Sequence, residues 1–176
     1  TPDYTFSSSV AGTITYGGSC SSSTTSANRG NNAITLNNLN EGTYSDCTIS
    51  VTDNNSNVGT LTLTSFEIDT TSPTISEVTA VTTPTNDTTP DYTFSSSETG
   101  TITYGGSCSS STTSAISGNN TITLVSLSDG TYSDCTIKVT DTTGNVSNTL
   151  TITSFEVDAT VPTLAEVTTV TTPTND

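Results

Sequence analysis

Four cysteines provide the clearest chemical pattern in this sequence. Cys20 and Cys47 form one pair, Cys108 and Cys135 form another, and both pairs have the same spacing. The chain has no histidine and no C-x-x-C spacing, so the pattern does not favour a zinc site. We predict one disulfide within each pair, with unpaired buried thiols as the alternative. Disulfides persist in oxidising compartments, which predicts a protein outside the cell or on its surface.

Residues that could catalyse a reaction are scarce. Because histidine is absent, a serine or cysteine nucleophile would lack its commonest base. Paired carboxylates, as in glycosidases, are the alternative. The repeated cysteine spacing, however, indicates a duplicated chain, in which such an active site would have to occur twice. We therefore predict that the protein is not an enzyme.

The charge balance excludes several kinds of partner. The chain has 17 acidic residues, only two basic residues (Arg29 and Lys138), and a net charge of −15. Such a chain cannot displace counterions from phosphates, which disfavours nucleic acid, and it is repelled by anionic membrane surfaces. No apolar run is long enough to span a membrane. We predict no nucleic-acid partner and no membrane insertion in this segment.

The chain consists of two copies of one sequence. Thr1–Ser9 returns unchanged at Thr89–Ser97, and 45 of the 58 positions in residues 1–58 are identical in residues 89–146. One residue is inserted in the second copy near Ser147 and Asn148, after which Phe66 aligns with Phe155. This self-similarity indicates a repeat array.

Apolar alternation between clusters of Gly, Asn, Asp and Ser predicts short β-strands, and the Thr-rich composition favours sheets over helices. In the second copy we predict strands A (Thr74–Val81), B (Asp91–Ser97), C (Gly100–Gly105), E (Asn120–Leu127), F (Thr131–Thr140) and G (Asn148–Val157), with a weak strand between Ser110 and Ile116. In F, Tyr132 has a different parity from Cys135 and Ile137. A similar change separates Ile152 from Phe155 in G. We expect a β-bulge in each of these two strands.

About seven short strands per copy predict an antiparallel β-sandwich. The segment LSDGTYSDCTIKVTDTTGNVS resembles the E–F corner and F–G loop of bacterial immunoglobulin-like (Big-type) repeats, which occur in large surface adhesins and extracellular filament proteins. Leu127, Gly130 and Tyr132 match a tyrosine-corner pattern. The likeness extends to the D-x-x-G-N turn of Asp141, Gly144 and Asn145 and to the linker Asp69–Ser76. The resemblance implies an all-β fold of tandem immunoglobulin-like sandwiches. The cysteine pair is unusual for that family, and the first copy has Ser56 in place of the turn glycine.

The repeat boundaries predict the domain organisation. Residues 1–69 form a repeat that lacks strand A, 70–73 a linker, 74–158 a complete repeat, and 159–176 a linker with strand A of a next repeat. In that last segment Leu164, Val167 and Val170 correspond to Ile75, Val78 and Val81. We expect Thr163–Thr172 to pair with a neighbouring copy, head to tail. The link is either a continuous covalent array or a donated strand.

Acidic residues at the ends of the repeats are candidate calcium ligands, because Ca²⁺ prefers carboxylate and carbonyl oxygens. By the family's arrangement, Asp69 would approach Glu98, Asp141 and Asn145, and Asp158 and Asp87 would meet the next copy. The alternative is that these acids are solvated turn residues, which loops favour in any case. Val10 replaces Glu98 in the first copy, so the set is not repeated there.

Two covalent modifications are also suggested by the residues. N-x-S/T sequons occur at Asn54, Asn86, Asn119 and Asn145, although a chain this rich in Ser, Thr and Asn produces them by chance. An isopeptide cross-link would need a buried lysine. Lys138 aligns with Ser50, so such a link could not be common to both copies.

These patterns favour a structural protein, a stiff stalk or head-to-tail filament on or outside the cell. The alternative is an adhesin repeat that binds a carbohydrate or a protein partner. Binding repeats of that kind would expose aromatic side chains, whereas most of the Tyr and Phe residues here have inward parity.

Overall fold

The computed structural model describes residues 1–169. These residues form strands and turns and contain no helix, so the predicted all-β class is confirmed. They divide into two compact units, one of residues 1–70 and one that begins at Thr71. Each unit has its own disulfide and its own cluster of buried apolar side chains.

The first unit is built from antiparallel strands. Within residues 1–70 they are β1 (Asp3–Ser8), β2 (Gly12–Gly17), β3 (Ser26–Ala27), β4 (Gly30–Thr35), β5 (Gly42–Tyr44), β6 (Thr48–Thr52), β7 (Val58–Thr62) and β8 (Phe66–Ile68). A four-stranded sheet has the order β3-β2-β6-β7. Strand β1 pairs with β4, and β5 pairs with β8.

The second unit repeats this plan and adds one strand at its start. Within residues 71–169 the strands are β9 (Ile75–Thr79), β10 (Asp91–Ser96), β11 (Gly100–Gly105), β12 (Ser114–Ala115), β13 (Gly118–Thr123), β14 (Gly130–Tyr132), β15 (Thr136–Thr140), β16 (Leu150–Thr151) and β17 (Phe155–Val157). The sheets have the orders β13-β10-β9, β12-β11-β15-β16 and β14-β17.

The core of the second unit is shared by its sheets. Tyr92 and Phe94 of β10 are fully buried, and they belong to the same cluster as Ile122 of β13 and Ile137 of β15. Side chains of the three-stranded and four-stranded sheets therefore meet in one interior. The result is a sandwich-like arrangement with polar, Thr-rich outer faces.

The prediction of a bulge in strands F and G is wrong. Each of these strands is instead divided into two, β14 and β15 for F, and β16 and β17 for G. Tyr132 lies opposite Phe155 and Thr136 lies opposite Thr151, so three residues intervene on each side and neither strand carries an extra residue. The parity changes because both strands leave one sheet and enter another at the same level. Between the two paired segments, a backbone hydrogen bond runs from the Ile152 amide to the Cys135 carbonyl at 2.9 Å.

A buried asparagine closes the turn before β13. Asn120 has the same parity as Ile122 and is only 9% exposed. Its Oδ1 accepts the Ile116 amide at 2.8 Å, and its Nδ2 donates to the carbonyls of Ile116 and Gly118. Because each polar atom has a partner, burying this amide is tolerated. Asn32 makes the equivalent bonds in the first unit.

Candidate functional site

The four cysteines pair as the sequence predicts. Cys20 bonds to Cys47 and Cys108 bonds to Cys135, with a Cα–Cα distance of 5.2 Å in both cases. Each bond joins the segment after one central strand to the residue just before its antiparallel partner, β2 to β6 and β11 to β15. All four side chains are buried. The bonds indicate an oxidising, non-cytoplasmic environment.

The turn between β15 and β16 is organised by one carboxylate. Oδ1 of Asp141 accepts the backbone amides of Thr143, Gly144 and Asn145 at 2.7–2.8 Å. Its Oδ2 accepts the side-chain amide of Asn145 at 2.8 Å. Desolvation raises the pKa of Asp141, but the bonds from Asn145 and Thr143 outweigh it and hold the pKa at about 2. The acid therefore has a structural role in closing this loop.

The first unit builds the same turn around the equivalent acid, Asp53, but has Ser56 where the second unit has a glycine. Asp53 accepts the amides of Asn55 and Asn57 and the side-chain amide of Asn57. These bonds, led by the one from the Asn57 side chain, lower the pKa of Asp53. Ser56 has a left-handed backbone with φ of 65°, where the second unit has Gly144 at 97°.

The other predicted calcium ligands lie in segments outside the strands. Asp69 follows β8 in the first unit, whereas Glu98 lies between β10 and β11 in the second. Asp87 and Asp158 bond to their own turns, Asp87 to the amide of Thr89 and Asp158 to that of Thr160. Calcium binding by this set stays a prediction.

The predicted modification sites differ in accessibility. Asn54, Asn86 and Asn119 are exposed, whereas Asn145 is half-buried. Nδ2 of Asn145, the atom that would carry a glycan, donates to Asp141 and to Thr143. Glycosylation there would remove one of these bonds. Lys138 is exposed, so it lacks the burial that an isopeptide cross-link requires.

Strand β9 is held in place by contacts that the sequence pattern does not predict. Asn148 accepts the Ile75 amide and donates to the Ile75 carbonyl, both at 3.0 Å, as a neighbouring strand would. Asn148 lies at the one-residue insertion of the second copy. Beside it, the Ser147 hydroxyl accepts the Val139 amide at 2.9 Å. The insertion itself was the only sequence signal for this contact.

The half-buried carboxylate of Glu77 makes the second contact that holds β9 in place. Glu77 accepts the Tyr92 hydroxyl at 3.0 Å, the Thr153 amide at 3.0 Å and the Thr153 hydroxyl at 2.7 Å. Burial raises the pKa of Tyr92, and the Glu77 carboxylate raises it further. Beyond β9 the chain continues to the sheet of β14 and β17, where Thr85 pairs in parallel with Val157 of β17. The segment from β9 to Thr85 thus contacts the three-stranded sheet and the sheet of β14 and β17.

The last described segment of the second unit, after β17, is exposed. Leu164 is 98% and Val167 is 94% exposed, and no strand is present in residues 158–169. Near its start, Asp129 accepts the amide of Ala159 and the hydroxyl of Thr160. Val170, with the rest of the predicted strand up to Thr172, lies outside the described residues.

Comparisons with known proteins add no relative to this picture. No protein-family model and no curated protein sequence matches the chain. The resemblance to bacterial immunoglobulin-like repeats therefore stays a prediction. In residues 1–169, none of the secondary structure is a helix with the length and apolar character needed to cross a membrane.

Proposed function

We propose that this chain is a pair of tandem immunoglobulin-like repeats of the bacterial type. Its function is structural, as part of a stiff stalk or head-to-tail filament on or outside the cell. The observation that carries the proposal is the duplication itself. Two near-identical copies each give an all-β unit with its own disulfide and its own core. A spacer gains length by repeating a stable unit, and it needs no divergence between copies.

The immunoglobulin-like assignment is supported by two tyrosines. The Tyr132 hydroxyl donates to the Ser128 carbonyl at 2.9 Å, and its ring stacks on Phe155 with centroids 5.4 Å apart. Tyr44 makes the equivalent bond to Asn40 and stacks on Phe66. A tyrosine that bonds to the backbone a few residues upstream, close before a cysteine, is typical of the tyrosine corner of such sandwiches.

The distribution of aromatic side chains favours a structural role over a binding role. All ten Tyr and Phe residues lie in the described part of the chain, and none has an exposed side chain. Sugar-binding repeats need exposed rings for stacking, and exposed aromatic anchors also dominate many protein interfaces. The adhesin alternative therefore gains no support from these surfaces.

Immunogold electron microscopy of intact cells tests the proposal. An antibody raised against the second unit should label filaments or stalks outside the cell, with gold distributed along their length. An antibody against a cytoplasmic protein is the matched control and should label only permeabilised cells. Label confined to the cytoplasm would exclude the proposed function. Label only at filament tips or at cell contacts would favour the adhesin instead.

A further inference from the structure

Two segments of the second unit run side by side in the same direction. The entry segment is residues 75–85, which contain β9, and the exit segment is residues 148–158, which contain β16 and β17. Near their ends, Thr85 pairs in parallel with Val157. Because the segments are parallel, the chain enters this pair at one end and leaves it at the other.

Side-chain hydrogen bonds connect the two segments at two levels. At the start of both, Asn148 donates to the Ile75 carbonyl and accepts the Ile75 amide, each at 3.0 Å. Further along, Glu77 accepts the amide of Thr153 at 3.0 Å and its hydroxyl at 2.7 Å. These contacts follow one another in the same order along both segments. They hold together segments whose strands belong to different sheets.

Backbone hydrogen bonds connect the segments at a third level. The Thr85 amide donates to the Glu156 carbonyl at 3.0 Å, and the Asp158 amide donates to the Thr85 carbonyl at 2.9 Å. Just before them, the Thr83 hydroxyl accepts the Glu156 amide at 2.9 Å. The bonds on the two sides of Thr85 are those of a parallel strand pair.

Both segments also contribute side chains to one core. Ile75 and Val81 of the entry segment are each 5% exposed, and Phe155 and Val157 of the exit segment are each 1% exposed. Sliding one segment along the other would expose this apolar surface to water and would also break the hydrogen bonds. Packing therefore supports the contact between the segments.

We propose that this contact is a mechanical clamp, which resists tension applied across the second unit. In a stalk under load, tension would reach the unit before Ile75 and leave it after Asp158, so the two parallel segments would be pulled in opposite directions along their length. The bonds at all three levels are then loaded together, because none lengthens unless the segments slide. A hairpin pulled open from one end would instead break its bonds one after another. The inference rests on the proposed structural function and gives it a physical basis.

The disulfide sets how far the unit extends once the clamp opens. Cys108 and Cys135 lie between the two segments in the sequence and are 27 residues apart. Unfolding lengthens the rest of the unit, whereas the loop closed by the disulfide stays short until the bond is reduced. At 3.3–3.6 Å per residue, reduction should lengthen the unfolding step by roughly 90–100 Å.

Optical-tweezers measurements on the full chain test the clamp. Handles attached through azide-bearing residues at Ser72 and Val161, which are both exposed, place tension across the second unit and leave the native disulfides intact. The double variant Thr83→Val, Thr153→Val removes two hydroxyl bonds between the segments and keeps both side chains β-branched. Its unfolding rate at constant force should rise by more than about tenfold, because the bonds that bear the load are fewer.

The matched control removes two hydroxyl bonds elsewhere in the same unit. Thr121→Val loses the bond to the Thr93 hydroxyl, and Thr123→Val loses the bond to the Asp91 carboxylate, both between β13 and β10. All four substituted threonines are exposed, so the two double variants should lose similar stability in denaturant. Under tension, however, the control should unfold less than about threefold faster than native chain.

Three results would overturn the proposal. One is equal acceleration of the two variants under tension, since any lost hydroxyl bond would then have the same effect. Another is gradual extension of the native unit without a distinct unfolding step. The third is a step that reduction of the disulfide does not lengthen, because opening the clamp would then not unfold the unit.

The clamp and the proposed function fail in distinguishable ways. Gold labelling along extracellular filaments, with equal acceleration of the two variants, would retain the structural function and exclude the clamp. A clamp in the tweezers, with label confined to the cytoplasm, would retain the mechanical property and exclude the stalk.

Discussion

At the residue scale, the turn between β6 and β7 carries a local conflict between side chain and backbone. Ser56 has a φ of 65°, a left-handed value that disfavours residues with a Cβ. The second unit has Gly144 at the same point, where the left-handed value carries no such cost. Asp53 and Asp141 hold the two turns in the same way, so the main difference between the turns is the backbone strain at Ser56.

Exchanging these two residues should shift stability in opposite directions. Ser56→Gly should stabilise the first unit by about 0.5–1 kcal/mol, because relief of the left-handed strain exceeds the added freedom of the unfolded chain. Gly144→Ser should destabilise the second unit by about 1 kcal/mol. Chemical denaturation monitored by residue-resolved NMR separates the two units. Destabilisation of the first unit by Ser56→Gly would show that the serine makes a compensating contact.

The Asp141 turn makes the stability of the second unit depend on pH. The folded pKa of Asp141 is about 2, below its ordinary value of 3.8. A lowered folded pKa means that the ionised acid stabilises the fold. This contribution is fully present above about pH 3.8 and is lost as the pH falls through about 2. Carboxyl-carbon NMR titration should therefore give a midpoint near 2 for Asp141.

The variant Asp141→Asn tests whether this acid causes the pH dependence of stability. It should be less stable than native chain near neutral pH and should lose less of its stability between pH 4 and pH 2. Asp158→Asn removes one charge from the same unit and controls for the general effect of net charge. A native-like pH dependence in Asp141→Asn would mean that other acids are responsible.

At the element scale, the disulfide is the main covalent support of each pair of central strands. Cys108–Cys135 closes a loop that contains β12, β13 and β14, and the bond lies at the level where strands F and G change sheets. Linking two distant segments reduces the freedom of the unfolded chain. By the chain-entropy model a loop of this size gives roughly 3–4 kcal/mol. That is a large fraction of the stability of a small domain.

Removing one disulfide at a time should destabilise one unit selectively. Cys108→Ser with Cys135→Ser should lower the free energy of unfolding of the second unit by about 3–4 kcal/mol. The matched variant, Cys20→Ser with Cys47→Ser, should act on the first unit alone. Denaturant unfolding followed by NMR signals of each unit provides the measurement. A loss below about 1 kcal/mol in both variants would show that the bonds do not limit the unfolded state.

Local patterns in the sequence predict the strands well where one face is buried throughout. The sequence predicts strand C at Gly100–Gly105, which are the bounds of β11, because Ile102 and Tyr104 alternate without interruption. The sequence predicts an irregularity in F and G, but it does not predict that each strand divides between two sheets. A parity change fits a bulge as well as a change of sheet, and only the partner strand decides between them. Local patterns also do not predict the contact of Asn148 with Ile75, because it joins residues 73 positions apart.

At the scale of the whole molecule, the surface charge opposes association between copies. The chain carries 17 acidic and two basic residues and has a net charge of −15. Docking of one copy on another brings like charges together. In the proposed head-to-tail filament, apolar and backbone contacts between copies must therefore exceed this repulsion. Salt screens exposed charges, with a Debye length of about 30 Å at 0.01 M and about 8 Å at 0.15 M.

Self-association of the chain should consequently strengthen as salt is added. Between about 0.01 M and about 0.15 M NaCl, sedimentation should show a rising association constant, because screening weakens the repulsion between acidic copies. Interfaces held by opposite charges would show the reverse trend. CaCl₂ and MgCl₂ at matched ionic strength separate screening from calcium binding. An effect of CaCl₂ beyond that of MgCl₂, abolished by Asp69→Asn, would support the predicted calcium site, while equal effects would contradict it. A fall in association with NaCl would show that pairing of opposite charges, rather than contacts made against repulsion, holds the copies together.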